Sequence, residues 1–216
     1  MIEYVIQGQT LTGIADAIRE QLGTQQQYTP ESMAAAIGSI QGGGDTTFED
    51  QFLSGTLTGI SNNRVTTLAN YRLYQDRSIL SVSMAALTEI GAYCFYQGNI
   101  EYGYFPKVKN ILNNCFIGGA KWKILYFASL ESVGASSFTN FGNFSTTVSV
   151  ILAGNVVPTL AGRILNFRGT FYVTDSLIEE YKSATNWSEY SSQIKGLSEI
   201  PAEVQQWLDQ QGGASA

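Results

Sequence analysis

Three apolar columns run in register through four stretches of the chain: VTTLANYRL (65–73), LTEIGAYCF (87–95), VKNILNNCF (108–116) and LESVGASSF (130–138). The first column holds Val65, Leu87, Val108 and Leu130, at spacings of 22, 21 and 22 residues. The second holds Leu68, Ile90, Ile111 and Val133, and the third Leu73, Phe95, Phe116 and Phe138. A period that drifts by a single residue while three columns stay aligned is the mark of an internal repeat, in which each unit buries its apolar positions only against its neighbours. Between the aligned stretches lie short alternating apolar runs, ILSVSM (79–84), IEYGYF (100–105), KILYF (123–127) and VSVIL (148–152), each of which predicts a strand. The expected plan is therefore one strand and one compact turn per repeat.

The flanks have a different texture. Near the N-terminus, Thr10 caps a predicted helix whose Leu11, Ile14, Ile18 and Leu22 share one face, and Gly23 stands at its C-terminal end. A second predicted helix opens on Thr29 and Pro30 and carries Met33, Ile37 and Ile40 on one stripe. Each is about three turns, too short to stand alone, which predicts that the stripes meet each other or a partner as assembly helices. Residues 42–47 (GGGDTT) form a Gly-rich linker. After the repeats, FYV (171–173) predicts a strand and the following segment a helix with Leu177, Ile178 and Tyr181 turned inward. The expected organisation is an N-terminal anchor or assembly module over 1–41, the linker, a repeat region over 48–168, a C-terminal cap over 169–211 and a flexible tail over 212–216.

The phrase I-G-A-x-x-F, present as IGAYCF and VGASSF, resembles the BspA-type leucine-rich repeat; ILNNCF and LANYRL depart from it at Gly and predict irregular units. The stretch YVTDSLIEEYKSATNWSEYSSQIKGL resembles the C-terminal cap of BspA-type proteins encoded by phages of gut bacteria. The stretch IQGQTLTGIADAIREQLGTQQQYTPESMAAAIGSI resembles the N-terminal module of phage tail and head structural proteins from Gram-positive hosts. These resemblances imply an α+β fold of solenoid type: a short leucine-rich-repeat (BspA-like) β-solenoid with a small N-terminal helical anchor and a helical C-terminal cap.

Composition narrows the chemistry. The 216 residues include no histidine, two cysteines and 14% charged residues, against a usual share of roughly 25%. Without histidine, Cys/His zinc sites, His-containing triads and HExxH metalloenzymes are excluded. A net charge of −6 with no run of Lys or Arg argues against nucleic-acid binding. No stretch approaches the ~20 apolar residues that span a bilayer. The opening MIEYVIQGQTLTGIADAI has neither a basic n-region nor an apolar h-region, which predicts synthesis in the host cytoplasm without a signal peptide. Cys94 and Cys115 share one repeat slot, with Ser137 next in line, a pattern of small buried residues that leaves a disulfide open. Glu89, Glu101 and Glu131 lie on different repeats and Glu179 and Glu180 face different ways, so no carboxylate pair is placed for acid–base work. No catalytic residue, cofactor or metal is expected.

The period-two alternation that sends Phe105 and Leu125 inward sends Tyr102, Tyr104, Ile124 and Tyr126 outward, as a candidate interaction surface for an oligomer partner, a glycan or a protein. The opposite phase would make the same residues core. The resemblances imply a non-enzymatic phage virion protein, a head- or tail-attached fibre or adhesin. Its N-terminal module would bind other virion proteins and its repeats would contact the host surface, in a homo-oligomer, by preference a trimer. Competing expectations are a capsid decoration protein without host contact, a bacterial surface repeat protein and, last, a glycan depolymerase.

Overall fold

The computed structural model describes residues 59–142 and 147–211. The predicted helices of residues 1–41, the linker and the tail lie outside the described residues. The strands are β1 (Gly59–Ser61), β2 (Thr67–Leu68), β3 (Ser81–Ser83), β4 (Glu89–Ile90), β5 (Tyr102–Phe105), β6 (Asn110–Ile111), β7 (Ile124–Phe127), β8 (Ser132–Val133), β9 (Val148–Leu152), β10 (Thr159–Leu160), β11 (Gly169–Val173) and β12 (Ile194–Gly196). Two α-helices follow the repeats, α1 (Ile178–Ser183) and α2 (Ala202–Gln210), with short 3-10 turns at Asp175–Leu177, Ser188–Gln193 and Leu197–Glu199.

Strands β1 to β11 alternate between two sheets, and β12 joins the sheet of β11. One has seven strands in the order β1-β3-β5-β7-β9-β11-β12, the other five in the order β10-β8-β6-β4-β2, and every pairing is parallel. This arrangement corrects the expected fold class. The chain forms an α/β fold of two all-parallel sheets with few helices, not a leucine-rich-repeat β-solenoid with a helical cap. The expectation allotted each repeat one strand and a compact turn. The pairs Thr67–Leu68, Glu89–Ile90, Asn110–Ile111, Ser132–Val133 and Thr159–Leu160, read as turn, instead pair with one another as a second sheet.

The columns seen in the sequence become ladders of side chains. Leu68, Ile90, Ile111, Val133 and Leu160 are buried along the five-stranded sheet, and Val82, Leu125, Val150 and Phe171 along the seven-stranded one. The inward slot between Val82 and Leu125 belongs to Gly103; a Cβ there would lie 2.7 Å from Leu125 Cδ1, 2.8 Å from Phe105 Cε2 and 2.9 Å from Trp122 Cζ3, so neighbouring core side chains fill its place. Phe95, Phe116 and Phe138 stack at ring-centroid separations of 5.2 and 5.4 Å. Between the sheets the turns are bonded as strands are: Leu73 N–H donates to Cys94 O, Phe95 N–H to Cys115 O and Phe116 N–H to Ser137 O. Each repeat thus satisfies the backbone groups of the next, as buried backbone requires. Cys94 and Cys115 are buried free thiols in this ladder.

The two departures from I-G-A are compensated in pairs. Asn70 Oδ1 accepts the N–H of Ala92 at 2.8 Å, and Asn113 Oδ1 that of Ala135 at 2.9 Å. The following repeats carry Gly91 and Gly134 at the point of closest approach, where a Cβ would stand 2.6 Å from Ala69 C and 2.5 Å from Asn113 N respectively. Repeats with asparagine therefore alternate with repeats that have glycine.

The last repeat has no repeat after it, and the C-terminal segment replaces the missing donors with side chains. Trp187 Nε1 donates to Pro158 O (2.7 Å), Asn186 Nδ2 to Leu160 O (2.7 Å), Tyr190 Oη to Ile164 O (2.7 Å) and Gln193 Nε2 to Gly169 O (3.1 Å). β12 then adds to β11 as the final strand of the larger sheet. Tyr181 is buried, and Leu177 and Ile178 are half-buried.

Candidate interaction surface

Parallel register aligns the outward residues of the seven-stranded sheet in two rows. Gly59, Ser81, Tyr102, Ile124, Ser149 and Thr170 form one; Ser61, Ser83, Tyr104, Tyr126, Ile151 and Tyr172 form the other. The tyrosines face outward because Gly103 and Phe105, their alternating neighbours on β5, are buried among the inward side chains. The four predicted surface residues are thus neighbours on one face of the sheet. They do not share one environment.

α2 lies over part of this face. Its Val204 and Leu208 pack into a buried cluster with Ile124, Tyr126, Ile151 and Tyr172, which leaves Ile124 6% and Tyr126 7% exposed. Tyr102 and Tyr104 remain half-buried at the border of the helix. Tyr104 stacks on Tyr126 at 5.1 Å, and Trp207 of α2 stacks on Tyr102 at 5.9 Å and meets Tyr104 edge-on at 6.3 Å. Beyond the rings of Tyr102, Tyr104 and Trp207 the face steps down to Ser81 and Ser83, both half-buried, and then to Gly59 and Ser61. The result is a wall of aromatic side chains beside a floor of small side chains and hydroxyls. Lys123 flanks the wall: its Nζ stands 5.4 Å from the Tyr102 ring centroid and donates to Glu101 Oε2 at 2.6 Å. The Glu101 carboxylate, ahead of the other influences, holds the Lys123 ammonium protonated to higher pH than usual. Burial raises the pKa of the Tyr126 phenol, with Tyr104 adding to the shift.

Trp207, Val204 and Leu208 were not singled out in the sequence. The signal available was the i, i+3, i+4 spacing of Val204, Trp207 and Leu208 directly after Pro201, which marks a one-sided helix of nine residues. The acidic candidates are dispersed: Glu131 pairs with Lys109 at 2.7 Å, Glu101 with Lys123, and Glu179 with Lys182 at 3.3 Å. Among the described residues no cluster of three or more His, Cys, Asp or Glu side chains could hold a metal ion, and no helix is long and apolar enough to cross a membrane.

The face can bind by contact. Tyr and Trp each offer a flat apolar surface with a polar tip, and serine hydroxyls beside them supply donors and acceptors at little entropic cost. No protein-family model and no curated protein matches the chain.

Proposed function

We propose that the chain is a non-enzymatic adhesive protein of a phage virion, attached to other virion proteins through its first 41 residues and presenting the outer face of the seven-stranded sheet to the host surface. The observation that carries the adhesive part is the aromatic wall of Tyr102, Tyr104 and Trp207 beside the floor of Ser81 and Ser83. Half-buried rings held rigid by stacking lose little freedom when they meet a partner, which favours contact surfaces built this way. The virion assignment rests on the resemblance of residues 6–40 to phage head and tail modules. Display in a homo-oligomer, by preference a trimer, converts weak contacts into avidity.

The test is complementation. Particles lacking the chain are expected to adsorb to their host at least tenfold more slowly. The intact chain restores adsorption, and a Tyr102→Ser/Tyr104→Ser chain that is still incorporated into particles does not. Unchanged adsorption after deletion, combined with a loss of particle heat resistance, makes the protein a decoration protein instead.

A further inference from the structure

A second aromatic cluster lies away from the sheet face, on the turns that lead from β2 to β3 and from β4 to β5. Tyr71 stacks on Tyr93 at 5.0 Å with ring planes 5° apart, and Tyr74 on Tyr96 at 5.0 Å and 7°. Tyr71 meets Tyr74 edge-on at 5.7 Å, and Tyr93 meets Tyr96 at 5.9 Å, which closes a block of four rings. Tyr71 is 56% and Tyr74 42% exposed. Next to the rings, Gln75 Nε2 donates to Gln97 Oε1 at 3.1 Å. The four phenol hydroxyls, Gln75 Oε1 and Gln97 Nε2 have no hydrogen bond among the described residues.

The backbone here is costly for these side chains. Tyr71, Tyr93, Asn114 and Ser136 occupy one slot in successive turns, and all four are left-handed, with φ of 62°, 56°, 61° and 61°. Asparagine tolerates that conformation through its short polar side chain, whereas a bulky ring there is an outlier. Stacking offsets part of the cost, but the two later turns show that the fold is built without rings in this slot. Tyr71 and Tyr93 thus hold rings, the first exposed and the second half-buried, in a left-handed slot that the later turns fill with small polar side chains.

We propose that the Tyr71–Tyr74–Tyr93–Tyr96 cluster binds a neutral hexopyranose glycan. The C–H face of a pyranose matches an exposed tyrosine ring, and its hydroxyls match the phenols and carboxamides, which are uncharged and both donate and accept. The site is separate from the sheet face and does not depend on a virion role.

The experiment titrates the full chain with cellohexaose, chitohexaose and maltohexaose, and reads tyrosine ring NMR shifts together with calorimetry. At least one of the three is expected to bind and to shift these four rings. The Tyr71→Asn/Tyr93→Asn variant places in both turns the residue that Asn114 already supplies to the fold. It is expected to melt no lower than the parent and to bind at least tenfold more weakly. Absence of binding by all three glycans overturns the proposal, as does unchanged affinity in the variant. Loss of binding in Tyr102→Ser/Tyr104→Ser alone moves the glycan to the sheet face. If no glycan binds the parent and the asparagine variant shifts the oligomeric state, the cluster is a contact between copies, and the proposal falls.

Discussion

Asn70 and Gly91, like Asn113 and Gly134, show how a single residue type reports on the residue stacked against it. Taken one repeat at a time, LANYRL and ILNNCF are defective copies of I-G-A-x-x-F. The structure couples them: asparagine reaches forward to the next repeat's Ala92 or Ala135 N–H, and glycine clears the space into which the neighbouring chain presses. Such pairing across 22 residues is invisible to a motif read along the chain. It predicts that Gly91→Ala, with its new Cβ against the backbone of Leu68 to Asn70, destabilises the protein by about 1–3 kcal/mol in urea unfolding.

At the scale of elements, the longer strands were legible and the shorter ones were not. β5 and β7 fall within IEYGYF and KILYF, where the alternation over four residues puts Tyr102 and Tyr104 on the side of β5 opposite Phe105. A two-residue strand such as β4 or β6 holds no period, so it can only be found by what it pairs with. The environment of Ile124 and Tyr126 was unreadable for a related reason. Their phase is outward, but whether an outward residue meets water or a helix depends on where α2 returns, 80 residues later. α2 is nine residues long and is held by packing, not propensity. Leu208→Ala is therefore expected to cost about 2–3 kcal/mol, near the low end for a buried leucine because the site borders solvent. The same change is expected to raise the binding of a hydrophobic dye, as Ile124, Tyr126, Ile151 and Tyr172 become uncovered. An unaltered melting temperature would show that the helix does not hold this face closed.

At the scale of the molecule, the stability of the chain depends on pH in an unusual window. With no histidine in the sequence, no side chain with an ordinary pKa changes charge near neutrality, so the melting temperature is expected to stay level between about pH 6 and pH 8. The buried acids titrate late. Burial pushes the Cys94 thiol from 9.0 up to about 11, and it raises Cys115 and the phenols of Tyr181, Tyr172 and Tyr190 as well. In each case the folded state keeps a proton that the unfolded chain releases first. The stabilisation is complete below the unfolded values and declines as pH rises through about 9. Cys94 alone corresponds to roughly 2 kcal/mol lost by pH 11. Thermal melts between pH 8 and pH 11 check this, and a midpoint that does not fall across that range would contradict it. Iodoacetamide at pH 8 should leave both thiols unmodified until the chain unfolds.

The side chains that finish the last repeat have an evolutionary consequence. Trp187, Asn186, Tyr190 and Gln193 recognise carbonyls of Pro158, Leu160, Ile164 and Gly169 in the preceding repeat. They require only that one repeat precede them, whatever the total. Duplication or loss of a pair of repeats, which keeps asparagine alternating with glycine, would leave this terminus chemically complete, because each new backbone donor arrives with its acceptor. Repeat number is then a heritable variable that changes two repeats at a time while the terminating side chains stay the same.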